Sequence, residues 1–331
     1  MKLAQSTFDQ LSKVNVLVIG DVMVDRYLIG EVNRISPEAP VPVVQLKETL
    51  HRLGGAANVA LNLKAMGADP ILCSFVGADA AGHIFHDLLV QEGISTKCLL
   101  NSRSRCTTIK TRIMAQNQHL LRVDEEQTQD LPADESEVLI QKVKEILDTR
   151  EVDVILLQDY NKGVLSDRTI REVILQAVKR DIFTVVDPKY YNFWAYKHVT
   201  LFKPNLKEIR AQVDFPVSTD LKSLKQTSDW VRTRLSNKYT WITLSEKGLF
   251  YEGDGTAVII PTHPREIADV SGAGDTVIAL AALGLGAGIP MRDIAILANL
   301  AGGQVCEKPG VVPVNKKQLL MEYSQILEQD S

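Results

Sequence analysis

Apolar, strand-length runs that alternate with helically spaced segments predict a mostly parallel, doubly wound α/β sheet for this chain. Residues 14–19, 71–75, 152–157, 183–186, 199–202 and 240–244 are short and rich in β-branched residues, as buried strands are. Between them, residues 55–66, 80–92, 134–148, 167–179, 218–235 and 274–287 carry apolar side chains at helical spacing. Two stretches break the alternation. Residues 27–50 hold three prolines and many β-branched side chains without a helical period, which predicts extended edge structure. Residues 106–123 alternate around the polar centre Gln116-Asn117-Gln118, which predicts a hairpin. Together these stretches predict a small β-layer outside the main sheet.

The composition bounds the rest. The 331 residues, 45% hydrophobic and 24% charged, exclude a disordered or fibrous chain. With 37 Lys and Arg against 41 Asp and Glu, the net charge of −4 gives no global attraction for nucleic acid or an anionic membrane. An anionic ligand therefore needs a local site. Cys73, Cys98, Cys106 and Cys306 form no CxxC pair and are expected to be packing thiols in a reducing compartment. The first 16 residues lack a signal-peptide core, so the expectation is a cytoplasmic protein. The most apolar stretch, 277–290, is too short and glycine-broken to span a bilayer, and is expected to be a buried helix. Residues 125–137 are expected to be a solvated acidic connection.

The strongest chemical signal is the run from Asp269 through Val270, Ser271, Gly272, Ala273, Gly274 and Asp275 to Thr276, leading straight into an apolar helix. Small residues ahead of a helix let backbone N–H groups converge, and the helix N-terminus adds partial positive charge, so the segment suits a phosphate. A carboxylate at Asp275 repels such a ligand unless it has chemical work there. Removing a proton from an incoming hydroxyl is work of that kind. The plain alternative is that Asp275 only complements the first turn of the helix.

This segment resembles the signature of the ribokinase-like (PfkB) sugar kinases. Three N-terminal segments, Gly20 to Tyr27, Arg34 to Val43 and Gly54 to Ala60, resemble one branch, the bacterial D-glycero-β-D-manno-heptose 7-phosphate kinases. Asp159-Tyr160-Asn161-Lys162-Gly163, Asp187-Pro188-Lys189, Pro204 to Glu208 and Ser245-Glu246-Lys247-Gly248 match that branch in the same order. The similarity covers roughly residues 14 to 315, and the colinearity of several motifs makes it far more specific than any one of them. It implies one kinase domain over 1–331, with lid segments at about 25–50 and 105–123.

The resemblance also implies roles. Asp275 is the expected catalytic base, and Gly272, Ala273 and Gly274 are expected to present amides to the transferring phosphoryl group. Asp25, Gly54, Gly55 and Asn58 fall on the sugar side. Asn205 and Glu208 match the NxxE element, whose acid helps to organise Mg²⁺ through water beside ATP. An Asn N-cap with Glu three residues on is also a capping box, and both roles can hold at once. Ser245 and Gly248 border the nucleotide, Ser245 standing where many relatives have Gly, and Lys162 is assigned to the nucleotide as well. For the distal phosphate of a phosphosugar, Lys110, Arg112 and Arg122 are the candidates. Lys110 and Arg112 share strand parity and so face one side, although charges on a solvated edge strand fit the same pattern.

His83 and His86 read as a surface pair without a third ligand. Tyr190, Tyr191, Trp194 and Tyr196 read as packing or as a nucleotide rim. GxGxxG and GxxxxGK[ST] are both missing, which argues against a Rossmann dehydrogenase and a P-loop enzyme. The expectation is a Mg²⁺-requiring, ATP-dependent kinase, homodimeric through its lid, binding neither nucleic acid nor membrane. Many relatives carry a second, adenylyltransferase half. No HxGH signature occurs in this sequence, so a stand-alone kinase is expected.

Overall fold

Strand residues divide by parity between two hydrophobic layers, as period-2 side chains of a sheet covered on both faces must. Val16, Val18, Val154, Leu156, Val185 and Leu201 pack into one layer, and Leu17, Ile19, Ile155, Leu157, Val186 and Phe202 into the other. The computed structural model describes residues 2–116 and 118–329.

The main sheet contains β1 (Val16–Gly20), β4 (Ile71–Gly77), β5 (Leu99–Ser102), β8 (Val154–Gln158), β9 (Phe183–Asp187), β10 (Leu201–Phe202), β11 (Tyr239–Thr243), β12 (Leu249–Gly253) and β13 (Thr256–Ile260). Their order is β13-β12-β11-β10-β9-β8-β1-β4-β5, parallel except at β11-β12 and β12-β13. One face is covered by α1 (Lys2–Leu11), α2 (Ala56–Ala65), α3 (Ala80–Gln91), α8 (Ala273–Gly286), α9 (Met291–Cys306) and α10 (Lys316–Gln329). The other is covered by α4 (Ala133–Thr149), α5 (Asp167–Lys179), α6 (Leu206–Arg210) and α7 (Leu221–Leu235). The predicted helix at 277–290 is α8, buried along most of its length.

The second sheet is β3-β2-β6-β7, built from β2 (Val22–Ile35), β3 (Pro42–Gly55), β6 (Ile109–Ala115) and β7 (Gln118–Glu125). Its halves are antiparallel pairs joined by a parallel β2-β6 ladder. Pro42 opens the edge strand β3, where a missing N–H costs no ladder bond. The predicted hairpin is β6-β7, and Asn117 at its centre lies outside the described residues. β6 is an inner strand, so Lys110 and Arg112 are not edge charges.

Other expectations are corrected. Residues 126–132 do form a mostly exposed connection, but it is shorter than expected, because α4 begins at Ala133 and Leu131 is buried. Cys73, Cys98 and Cys306 are buried thiols, but Cys106 is exposed. His83 and His86 lie on exposed positions of α3. Among the described residues no helix is long and apolar enough to cross a membrane.

Candidate active site

From β1 the chain runs to β4 and β5 on one side, while β8 and its successors extend the sheet on the other. Strand order therefore reverses beside β1, and open α/β sheets bind ligands at the carboxyl ends of the strands there. Polar residues gather at those ends. Asp21 follows β1, Gln158 closes β8 ahead of Asp159 and Tyr160, Asp187 closes β9, and Lys203 follows β10. All but Tyr160 are buried. A cleft of about 1110 Å³ opens over Tyr160, Asp187 and Lys203, lined also by Asp275, Lys189, Asn205, Ser245 and Gly248 among others.

Gly272 caps α8 in the left-handed conformation, φ 83°, so the chain enters the helix with Gly272, Ala273 and Gly274 on the cleft wall. Ala273 N–H leans on Val270 O at 3.4 Å, a weak bond that a ligand can displace. Asp275 sits in this first turn, 4% exposed. Its Oδ1 accepts from Tyr160 OH at 2.6 Å and from Gln158 Nε2 at 3.2 Å, and its Oδ2 accepts from Asn58 Nδ2 at 2.8 Å. Burial pushes its carboxyl up to about 6, against the pull of the Tyr160 and Asn58 hydrogen bonds. Such a carboxylate is ionised at neutral pH yet basic enough to take a proton.

Asn58, expected on the sugar side, thus turns its amide to Asp275. The glycine pair before it also has an internal reason. A β-carbon at Gly54 would collide with Asp25 Oδ2, and one at Gly55 with Asp21 O. Asp25 is buried on β2, and its Oδ1 accepts a hydrogen bond from Arg112 Nη1. Arg112 lies over the Tyr27 ring at 5.3 Å, with Arg52 at 5.2 Å. Lys110, on the same face of β6, is 3.3 Å from Asp124 and 3.4 Å from Glu126. Arg122 pairs with Asp124 in the open, its side chain 60% exposed.

On the far side of the cleft, Asn205 and Glu208 form a full capping box, each side chain accepting from the other's backbone N–H at 2.8 Å. Glu208 Oε1 also accepts from Lys189 Nζ, and Lys189 in turn lies 3.9 Å from Asp187 Oδ1. Lys203 Nζ is 3.1 Å from Asp187 Oδ2. These carboxylates hold Lys189 well above the usual lysine range despite its burial. Ser245 is in the left-handed region at φ 55°, a conformation that favours glycine. Gly248, at φ 99°, has no room for a side chain beneath Ile260 O.

Lys162 is not in this cleft. Its ammonium is 2.8 Å from Glu126 Oε1, just past the end of β7. Of the aromatic cluster, Trp194 packs against Phe193 and Trp230 and Tyr196 OH donates to Asp159, while Tyr190 and Tyr191 are exposed, and none of the four lines the cleft. Tyr160, Gln158, Asp187, Lys189 and Lys203 had no assigned role from sequence. A charged or amide residue closing an apolar strand was the signal available for Gln158, Asp187 and Lys203.

The family model for pfkB family carbohydrate kinases matches residues 13–318. This chain belongs to the pfkB family. Curated relatives include the bifunctional protein HldE of Trichlorobacter lovleyi, 38% identical over 324 residues, covering 98% of this chain and 65% of that protein. HldE of Magnetococcus marinus is 41% identical over 307 residues, covering 92% and 63%. The chain thus spans just under two thirds of the length of these relatives. Among solved structures, phosphofructokinase-2 from Escherichia coli in complex with potassium aligns at a TM-score of 0.79 with 17% identity, covering 95% of this chain and 99% of that one. Arabidopsis thaliana ribokinase complexed with ribose and ATP aligns at 0.72 with 16% identity, covering 93% and 99%. At such identities the likeness is one of fold. It is the fold of a phosphofructokinase and of a ribokinase, and the family is one of carbohydrate kinases.

Proposed function

We propose that this pfkB kinase transfers the γ-phosphate of ATP to the anomeric hydroxyl of D-glycero-β-D-manno-heptose 7-phosphate, giving the 1,7-bisphosphate on the way to ADP-heptose and the lipopolysaccharide core. The observation that carries the chemistry is the buried carboxylate of Asp275 in the same helical turn as the cleft-lining amides. Asp275 takes the hydroxyl proton as the sugar oxygen bonds to the γ-phosphorus and the bond to the ADP oxygen breaks. Amides of Gly272, Ala273 and Gly274 meet the charge that develops on the phosphoryl oxygens. Asp25 accepts from sugar hydroxyls. Arg112 and Lys110, on one face of the lid, take the distal phosphate. Asn205, Ser245 and Gly248 border the nucleotide. The choice of heptose is supported by the motif order and by relatives carrying the HldE name at 38 and 41% identity.

Mg²⁺ would neutralise charge on the ATP phosphates when bound. The donors suit it only indirectly, since both oxygens of Glu208 already accept hydrogen bonds and no cluster of three metal-binding acids, histidines or cysteines occurs among the described residues. A carboxylate so engaged keeps lone pairs for a metal-bound water, which fits an ion held chiefly by phosphates and water.

The reading extends to a cytoplasmic homodimer that binds neither nucleic acid nor membrane. Leu46, Leu121 and Val123 expose 53, 57 and 44% of their surface on the lid sheet and support its pairing with a second copy. A monomeric mass at working concentration would remove that part. The deciding experiment is ATP consumption with synthetic heptose 7-phosphate, the product's phosphate position being read by phosphorus NMR. Turnover of another sugar phosphate in preference to the heptose would replace the substrate and leave the kinase in place.

A further inference from the structure

We propose that Tyr160 is a positioning residue for the base, its hydroxyl orienting the Asp275 carboxylate and keeping it ionised for proton removal. The inference rests on Asp275 being the base. Tyr160 OH donates to Oδ1 at 2.6 Å while Asn58 donates to Oδ2 at 2.8 Å, so donors on both oxygens fix the plane of the carboxylate. Gln158 Nε2 is a weaker third donor, 3.2 Å from Asp275 Oδ1 and equally far from Asp187 Oδ2.

The phenol is held from behind. Asp21 Oδ2 accepts from Tyr160 N–H at 2.8 Å and Lys162 N–H at 3.0 Å, and its Oδ1 accepts from Val164 N–H at 3.0 Å. That strap fixes the loop after β8, and Lys189 Nζ lies over the Tyr160 ring at 5.4 Å. The charged groups around the base are Asp187 and Lys189 from the end of β9, Lys203 from β10 and Asp25 from the lid. Asp187 and burial oppose ionisation of Asp275, and Lys189 favours it. Tyr160 stays protonated and so remains a donor, because burial and the facing carboxylates raise its phenol well above its ordinary value. Replacing it with Phe keeps the ring under Lys189 and deletes only the donor.

The test is the carboxyl titration of Asp275, followed by carbon NMR of protein labelled at Asp and assigned by the signal missing in Asp275→Asn. In Tyr160→Phe the titration should move to higher pH by about one unit, the order expected for one hydrogen bond to a charged group. With heptose 7-phosphate as acceptor, kcat/KM should be about fivefold lower at pH 6, recover by pH 9, and leave the ATP KM unchanged. An unmoved titration, or a loss equal at every pH, would reduce Tyr160 to packing. If Tyr160→Phe does not fold, 3-fluorotyrosine placed at 160 supplies a stronger donor and should move the titration downward; no movement overturns the proposal. Failure of the parent reading looks different, because Asp275→Asn would then retain near-wild-type turnover whatever Tyr160→Phe does.

Discussion

Arg112 on β6 and Asp25 on β2 are joined by a hydrogen-bonded ion pair, with side chains 12% and 4% exposed. The cation proposed for the distal phosphate is therefore already partnered by the carboxylate proposed for the sugar hydroxyls. Arg112→Ala should raise the phosphosugar KM at least about tenfold and leave the ATP KM within about twofold. It should also lower stability by about 3 kcal/mol, because it strands a buried carboxylate. Steady-state kinetics and a urea titration read the two effects separately. Equal rises in both KM values would remove Arg112 from the sugar side.

Asp275→Asn should lower kcat by about 10²-fold or more while the protein still folds and binds ATP. Calorimetric titration with a non-hydrolysable ATP analogue checks binding, and turnover close to wild type would end the assignment of the base.

Glu208→Gln keeps an acceptor for the capping box but loses the charge facing Lys189 and, on the proposed reading, a metal-bound water. We expect the Mg²⁺ concentration for half-maximal rate to rise about threefold to tenfold, with the phosphosugar KM unmoved. A Mg²⁺ titration at saturating ATP measures this, and an unchanged midpoint would leave Glu208 a capping residue only.

Burial, together with the nearby Asp21 carboxylate, pushes Asp159 up to about 7, and burial pushes Asp275 up to about 6. Both carboxyls are protonated in the folded chain at a pH where the unfolded chain has released those protons. Folding then takes up protons between about pH 4 and 7, so their contribution to stability grows as the pH falls through that window. The Tm of wild type at pH 5.5 against pH 8 should show this, and Asp159→Asn should flatten the difference. An identical slope in that variant would show that Asp159 is not raised.

Gly248→Ala forces a side chain against Ile260 O at φ 99°. The turn beside the nucleotide must shift, raising the ATP KM several-fold and lowering Tm. Ser245→Gly should do the reverse for stability, gaining about 1 kcal/mol by relieving a left-handed serine. Denaturant midpoints of the two variants should move in opposite directions.

The parallel sheet was legible because its strands are apolar on both faces, and parity then assigned each residue to a layer. The helices α1, α9 and α10 were not singled out, although Ala4, Phe8 and Leu11 already mark one face of α1. Strands β12 and β13 passed unseen because an antiparallel pair appended to a parallel sheet breaks no pattern in sequence. At the site, the left-handed cap of α8 and the place of Asp275 in its first turn were readable from small residues leading into an apolar helix. The pairing of Lys203 with Asp187 was not, since Asp187 lies on the neighbouring strand, β9, and only the register of the sheet brings them together. The partner of Lys162 was out of reach as well, since Glu126 lies in a separate loop, just past β7.

Asp21 holds more than the loop after β8. Its backbone carbonyl accepts from Ala56 N–H at 2.9 Å, at the start of the helix that carries Asn58, while its carboxylate straps the loop that carries Tyr160. The two strong donors to Asp275 thus hang from one residue. A double-mutant cycle between Asn58 and Tyr160 should show non-additivity, and Asp21→Ala, which keeps the backbone carbonyl, should loosen Tyr160 while Asn58 stays in place.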